Sequence, residues 1–360
     1  MRKEELSPTK GRVFTPEMQA EIKATQKNMA NRLLMLAAPL IMAWYYYGGR
    51  ALRLAALSAL TAMLCEYIGM RVVGTVPALR DLSAVVIGIT VALMLPASAP
   101  IWLVLLAVSF AVLVVKVPFG TARTLLFSPA AAGVAFVTVC LPEYVFAYPV
   151  LPESGASPAV YGSEGFSAGI SLTQMLASST SMGGSAVEYI DVLIGGMAGA
   201  MGTGCVIALL GALLFLLFRA PKGFTAAVSC LLSAAVYAAL FPRITTGRFL
   251  SVFMELSGGM LLFAALFLLP EEAILPKRFW GRVAYGAAAG LLTMLFRRFG
   301  EFEEGAVFAV LLVNALTSAF DKLPLARFER REKAKARLAN RAAQAQEEAP
   351  AAEQGGEADV

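Results

Sequence analysis

The chain has 360 residues, 58% hydrophobic and only 15% charged, with a formal net charge of +5 and no histidine. Charge is too sparse for an ordinary soluble domain, where it is nearer a quarter, and apolar runs of about 18 residues or more recur, each able to cross a bilayer core as a helix. Basic residues gather in the tails and short loops, which fits membrane topology and excludes a nucleic-acid binder; the missing histidine excludes His-ligated haem, His-based zinc and Ser-His-Asp catalysis.

An all-α polytopic membrane protein is therefore predicted. Residues 1–30 form a polar tail carrying Arg2, Lys3, Lys10, Arg12, Lys23 and Lys27, with a short amphipathic surface helix over Pro16 to Asn31. About thirty mostly hydrophilic residues precede the first apolar run, so no secretory signal peptide is expected. A first membrane half is predicted over 31–141, with spans near 31–47, 51–75, 82–96, 100–117 and 125–141. The first ends in Trp44-Tyr45-Tyr46-Tyr47, aromatics suited to a membrane interface. The second carries Glu66 and Arg71, which either face the bundle interior or sit near an edge in reach of water. In the fifth, Pro129 follows Ser128 at a predicted cap or helix break.

Residues 142–189 form the longest stretch without a spanning run. It has no Lys or Arg, but has Glu143, Glu153, Glu164 and Glu188, and many Ser, Gly and Pro. It reads as one large external loop. A second membrane half follows over 190–320, with spans near 190–218, 222–241, 249–269, 282–297 and 304–320. The first of these holds Gly195, Gly196, Gly199, Gly202, Gly204 and Gly211, set either for close helix packing or for close approach to a ligand. The tail from 321 to 360 is basic to Arg341, then Ala-, Gln- and Glu-rich, and is expected to be largely disordered. Cys65, Cys140, Cys205 and Cys230 form no CxxC pair and read as small packing residues.

Ten spans place both tails on one side. The positive-inside rule makes that side the cytoplasm for most of the Lys and Arg; Arg50, Arg53, Arg243, Arg248, Arg297 and Arg298 go against it. A short internal repeat supports the layout. Asp81-Leu82-Ser83 is followed by Leu95-Pro96, and Glu255-Leu256-Ser257 by Leu269-Pro270, at the same spacing. The copies cross in opposite directions, as in an inverted repeat of five plus five spans, which sets Asp81 and Glu255 at opposite faces. Glu66, Asp81, Asp191 and Glu255 are candidates for an ion path, because carboxylates at membrane depth are costly.

Residues 81–142 resemble the RnfD and NqrB membrane subunits of ion-pumping flavin oxidoreductases. The resemblance is carried by Asp81-Leu82-Ser83-Ala84-Val85-Val86-Ile87-Gly88, Leu95-Pro96, Pro118-Phe119-Gly120 and Phe127-Ser128-Pro129-Ala130. Leu256-Ser257-Gly258-Gly259, Gly300, Glu304-Gly305-Ala306 and Asn314-Ala315-Leu316 extend it to about 80–320. It implies a urea-transporter-like inverted repeat in a bacterial inner membrane. It also implies an RnfD-like subunit of a complex passing electrons from ferredoxin to NAD with Na+ or H+ translocation, beside RnfA-, RnfB-, RnfC-, RnfE- and RnfG-like subunits. The alternatives are an NqrB-like quinone-reducing subunit and a non-redox channel or transporter.

Such subunits carry FMN, with riboflavin a further cofactor, and the FMN is joined through its phosphate to a Thr in a motif like Ser-Gly-Ala-Thr-Pro-Leu. One register here runs through Ser178-Ser179-Thr180-Ser181-Met182 and gives the position to Thr180. A rival runs through Ser167-Ala168-Gly169-Ile170-Ser171-Leu172 and gives it to Ile170, which has no hydroxyl, with Thr173 as a displaced second choice. The chain also departs from the family at Thr203-Gly204-Cys205 and at Leu268-Leu269-Pro270-Glu271-Glu272.

Overall fold

The computed structural model describes residues 16–74, 82–119, 125–151, 157–177, 189–243, 248–300 and 302–322. Among them the chain is helical, with no strand and two isolated bridges, Pro149 to Ala168 and Ser171 to Ala198. The helices are α1 (Pro16–Tyr47), α2 (Gly49–Val73), α3 (Ser83–Met94) and α4 (Ile101–Phe110), which runs on through a π-helical turn (Ala111–Lys116) into α5 (Val117–Phe119). Next come α6 (Pro129–Cys140), α7 (Pro142–Val145), α8 (Leu172–Ala177), α9 (Tyr189–Ile194), α10 (Val206–Arg219) and α11 (Pro221–Leu240). The described residues end with α12 (Arg248–Ser257), α13 (Leu261–Phe267), α14 (Phe279–Phe299), α15 (Ala306–Ala315) and α16 (Thr317–Lys322).

Among the described residues four helical stretches are long and apolar enough to cross a bilayer: α2, α4 with α5, α11 and α14. The pair α12 and α13, bent by 55°, makes a fifth if it is one broken span. The apolar helices α3, α6, α10 and α15 have only 10 to 14 residues. A helix that short leaves a terminus inside the protein, where its free backbone groups need partners. For α3 the partners come from far along the chain: the Gly202 N–H donates to the Leu93 carbonyl (2.7 Å) and the Met201 N–H to that of Leu95 (3.1 Å). Val91 through Leu95 are all essentially without solvent exposure.

Residues 190–218, expected as one span, are instead α9, a turn-rich segment over 195–205, and α10. The glycines that suggested helix packing have separate uses. A Cβ at Gly202 would meet Leu93 and Phe263, so its absence lets this segment cover the end of α3, whereas Gly211 faces open space. Elsewhere small residues do set helix approach. Gly88 lies against the Ser58–Ala59 backbone, with Ser58 donating to the Gly88 carbonyl at 2.5 Å. Gly286 and Gly290 lie against the carbonyls of Ala226 and Cys230, joining α14 to α11. One hydrophobic core runs through most of the bundle, and a small second one, Leu172, Leu176, Val192 and Met254, joins α8, α9 and α12.

Candidate functional site

The α12–α13 break begins with backbone chemistry. After Ser257 the chain turns through Gly258 and Gly259, the latter at φ +62, a left-handed conformation natural to glycine. A side chain there would run into the Glu304 carboxylate. The turn leaves carbonyls at the end of α12 without helical partners. Arg297, near the end of α14 and 7% exposed, supplies them: it donates to the carbonyls of Glu255 (2.7 Å) and Gly258 (2.6 Å). Its guanidinium also lies 3.6 Å from the Glu255 carboxylate and 3.3 Å from that of Glu304. Arg243 adds a second cation at 3.2 Å from Glu255 and donates to the Arg297 carbonyl at 2.6 Å.

A short piece of the loop sits on this cluster. Ser171 and Gln174 cap α8 reciprocally: the Gln174 N–H donates to Ser171 Oγ (3.1 Å) and the Ser171 N–H to Gln174 Oε1 (3.2 Å). The same two side chains then reach the turn between α14 and α15. Ser171 Oγ donates to Glu303, and Gln174 Nε2 donates to Glu303 Oε2 at 2.9 Å. Thr173, buried, donates to Glu304 Oε1 at 2.9 Å. Between α8, the α12–α13 turn and Tyr148 lies a cavity of about 30 Å³, room for about one water. Burial pushes the Glu303 carboxyl up to about 7; the neighbouring Glu304 charge adds to this, and the Ser171 and Gln174 donors and Arg297 work against it. Burial likewise raises the Tyr148 phenol well above its ordinary value.

A second buried charge set lies at another helix end. Lys116 closes the π-helical turn, donates to Glu66 and to Ser83 at 2.5 Å each, and all three side chains are buried. π-Helical turns inside α-helices occur disproportionately at functional sites. The two halves of the chain also meet at Asn314, which stands 2.6 Å from the Tyr285 hydroxyl and 3.0 Å from the Ser128 N–H.

Of the residues singled out from sequence, Glu66 and Glu255 are buried and paired, each in its own cluster. Arg71, by contrast, is exposed and stacks on Tyr67. Asp191 is exposed on α9, its carbonyl bonded to the N–H groups of Gly195 and Gly196, and it joins neither cluster. Thr180 and Asp81 lie outside the described residues. Thr173 fits a phosphoester poorly: its hydroxyl is buried, already donating, and beside two glutamates that would repel a phosphate. Ile170 is 65% exposed just before α8. Lys116, Glu303 and the pairing roles of Arg243 and Arg297 escaped sequence reasoning. The signals were a basic residue at the end of an apolar span and two arginines that went against the expected charge distribution.

A family model described as the NQR2, RnfD, RnfE family matches residues 15–327. The chain is 27% identical over 310 residues to the D component of the Na(+)-translocating ferredoxin:NAD(+) oxidoreductase complex of Acetobacterium woodii, covering 86% of this chain and 91% of that one. It is 30% identical over 318 residues to the D component of the ion-translocating oxidoreductase complex of Klebsiella pneumoniae, covering 80% and 90%. It is 28% identical over 324 residues to the same component in Yersinia enterocolitica, covering 83% and 92%.

Proposed function

The chain belongs to the NQR2, RnfD, RnfE family, and from that premise we propose that it is the RnfD-type subunit of an ion-translocating oxidoreductase complex. The observation that carries this is similarity along about nine-tenths of the length of relatives named as the D component of such complexes. Such a chain is part of an enzyme and catalyses nothing alone. Its place is the bacterial inner membrane among RnfA-, RnfB-, RnfC-, RnfE- and RnfG-like subunits, with both termini in the cytoplasm. The complex would pass electrons from ferredoxin to NAD and move Na+ or H+.

The architecture proposed is ten crossings in a five-plus-five inverted repeat. Support comes from elements that would correspond and that touch: α1 packs on α10, and α6 on α15. Each half also has a buried cation near the end of a long helix, Lys116 and Arg297, beside the Leu-Ser of the repeated motif.

FMN joined to Thr180 through its phosphate is the cofactor arrangement we favour, Thr173 being buried and engaged. Bound flavin supplies electron transfer, and the chain supplies position and field. The residues of this chain available to that task are α8 and its partners: Ser171, Thr173 and Gln174 tie the segment just ahead of Thr180 to the α14–α15 turn. A second reading is an RnfD-type subunit without a phosphoester, in which the Thr position falls to Ile170, a residue without a hydroxyl just before α8.

The test is to purify the tagged chain from membranes co-expressing the complex and a flavin transferase, then view a denaturing gel under ultraviolet light. We expect co-purifying partners, and a fluorescent band that Thr180→Val abolishes. A dark wild-type band within an intact complex would leave the second reading standing, and a chain that purifies alone would sink the subunit assignment.

A further inference from the structure

We propose that Glu303 is a proton-dependent latch that docks α8 onto the membrane bundle. This goes beyond the subunit assignment and requires neither flavin nor partner subunits. The geometry has three parts. First, every polar side chain of the segment Ser171 to Gln174 is spent on two adjacent carboxylates from a turn about 130 residues away: Ser171 and Gln174 on Glu303, Thr173 on Glu304. Second, the two carboxylates differ in their cations. Glu304 has Arg297 at 3.3 Å, whereas among the described residues no cation lies within ion-pair distance of Glu303. Third, the surroundings hold a surplus of negative charge. Arg243 from beyond α11 and Arg297 from α14 face Glu255 from α12 and the pair Glu303 and Glu304, so two cations meet three carboxylates. Tyr148 also faces Glu303, and burial keeps its phenol neutral.

With a proton on Glu303 the enclosed set is neutral. Without it, one uncompensated charge sits on a half-buried carboxylate beside a water-sized cavity, and undocking α8 would open that charge further to solvent. Docking and protonation therefore favour each other. The direction agrees with burial raising the Glu303 carboxyl from its ordinary 4.5 to about 7. A carboxyl raised in the docked state gives a docking preference that is full below the undocked value and declines as pH rises towards about 7. Glu304, held by Arg297, serves as the fixed anchor and Glu303 as the responsive one.

Hydrogen–deuterium exchange on the full chain in lipid nanodiscs tests this, with peptides covering 171–177 compared at pH 6 and pH 8 after correction for intrinsic rates. We expect protection of this segment to fall about tenfold from pH 6 to pH 8, the linkage expected of a shift from about 4.5 to about 7. Peptides from α11 and α14 should stay unchanged and report intact folding. Glu303→Gln should abolish the pH step and hold protection at or above the wild-type pH 6 level throughout. Gln174→Ala, which removes one hydrogen-bond arm and no charge, should lower protection at both pH values and keep the step. Equal wild-type protection at the two pH values would overturn the latch, as would a step that survives in Glu303→Gln.

Discussion

The two buried charge clusters answer one physical problem in different ways. Each places a cation near the end of a long helix, Lys116 after α4 and Arg297 on α14, against a carboxylate from a neighbouring helix. At the first, one ammonium bonds to a carboxylate and a serine hydroxyl, and the buried Glu271 carboxylate also lies within its field. At the second, one guanidinium serves two carboxylates and two main-chain carbonyls at a broken helix, and a loop segment closes over the set. The lysine is a point charge with three donors, enough for a compact pair; the forked guanidinium can hold several acceptors at once. The comparison teaches that the first cluster rests on a direct Lys116–Glu66 pair, whereas the second gathers two cations and three carboxylates around a broken helix and a segment of the large loop.

The largest effect should come from removing the hub. Arg297→Met leaves Glu255 and Glu304 short of a cation and strips donors from the carbonyls of Glu255 and Gly258. Breaking a buried pair by removing one partner costs about 3–5 kcal/mol, which applies in full to Glu304, whereas Glu255 keeps Arg243 at 3.2 Å. We expect loss of a monodisperse peak in detergent, or a melting temperature far below wild type. Arg297→Lys should recover only part, since one ammonium cannot span both carboxylates and both carbonyls. Full recovery by lysine would show that the second cluster is no more than a pair like the first.

Lys116→Met should come next, at about 3 kcal/mol, because Glu66 loses its ammonium in a buried setting. The double variant Lys116→Met with Glu66→Leu should recover part of that loss, since a buried pair is often replaceable by packed apolar groups, while Ser83 and Glu271 still lack the ammonium. Thermal unfolding in nanodiscs reads both. A double variant as unstable as the single one would mean that the loss lies with these other partners and not with Glu66.

How much of this was legible in the sequence depends on the range of the interaction. The apolar runs gave the helices, since length and hydropathy are local properties, and the Ser128-Pro129 cap appeared as expected at the start of α6. The break at 195–205 did not, because a glycine-rich apolar run reads the same whether it continues as a helix or turns. Charge types were visible but partners were not. Glu66 and Lys116 are 50 residues apart, and Thr173 and Glu304 are 131 apart. Two arginines that the expected topology left as exceptions, Arg243 and Arg297, were a missed hint, since both pair with buried carboxylates. Glu304 was visible only through its resemblance to a family motif, and Glu303, its neighbour, not at all.

The smallest contrast is between two glycines. Gly69 lies on α2, one turn beyond Glu66, and a Cβ there would meet the Val117 side chain at 2.7 Å. Val117 is only partly buried and can shift, and α2 is ordinary helix at this point. Helix interiors also favour alanine over glycine by about 0.5–1 kcal/mol. These terms nearly cancel, so Gly69→Ala should change stability by less than about 1 kcal/mol. Gly259 has neither relief. Its φ of +62 disfavours an L side chain, by about 1–2 kcal/mol for left-handed backbone, and the Cβ would occupy the place of the Glu304 carboxylate. Glu304 cannot yield without giving up Arg297 and Thr173 together. Gly259→Ala should therefore cost about 2 kcal/mol or more by thermal unfolding and should also loosen α8, seen as faster exchange over 171–177. If both alanines prove equally mild, the α12–α13 turn is free to reshape, and the rigidity assigned to the Arg297 cluster would have to come from the loop above it.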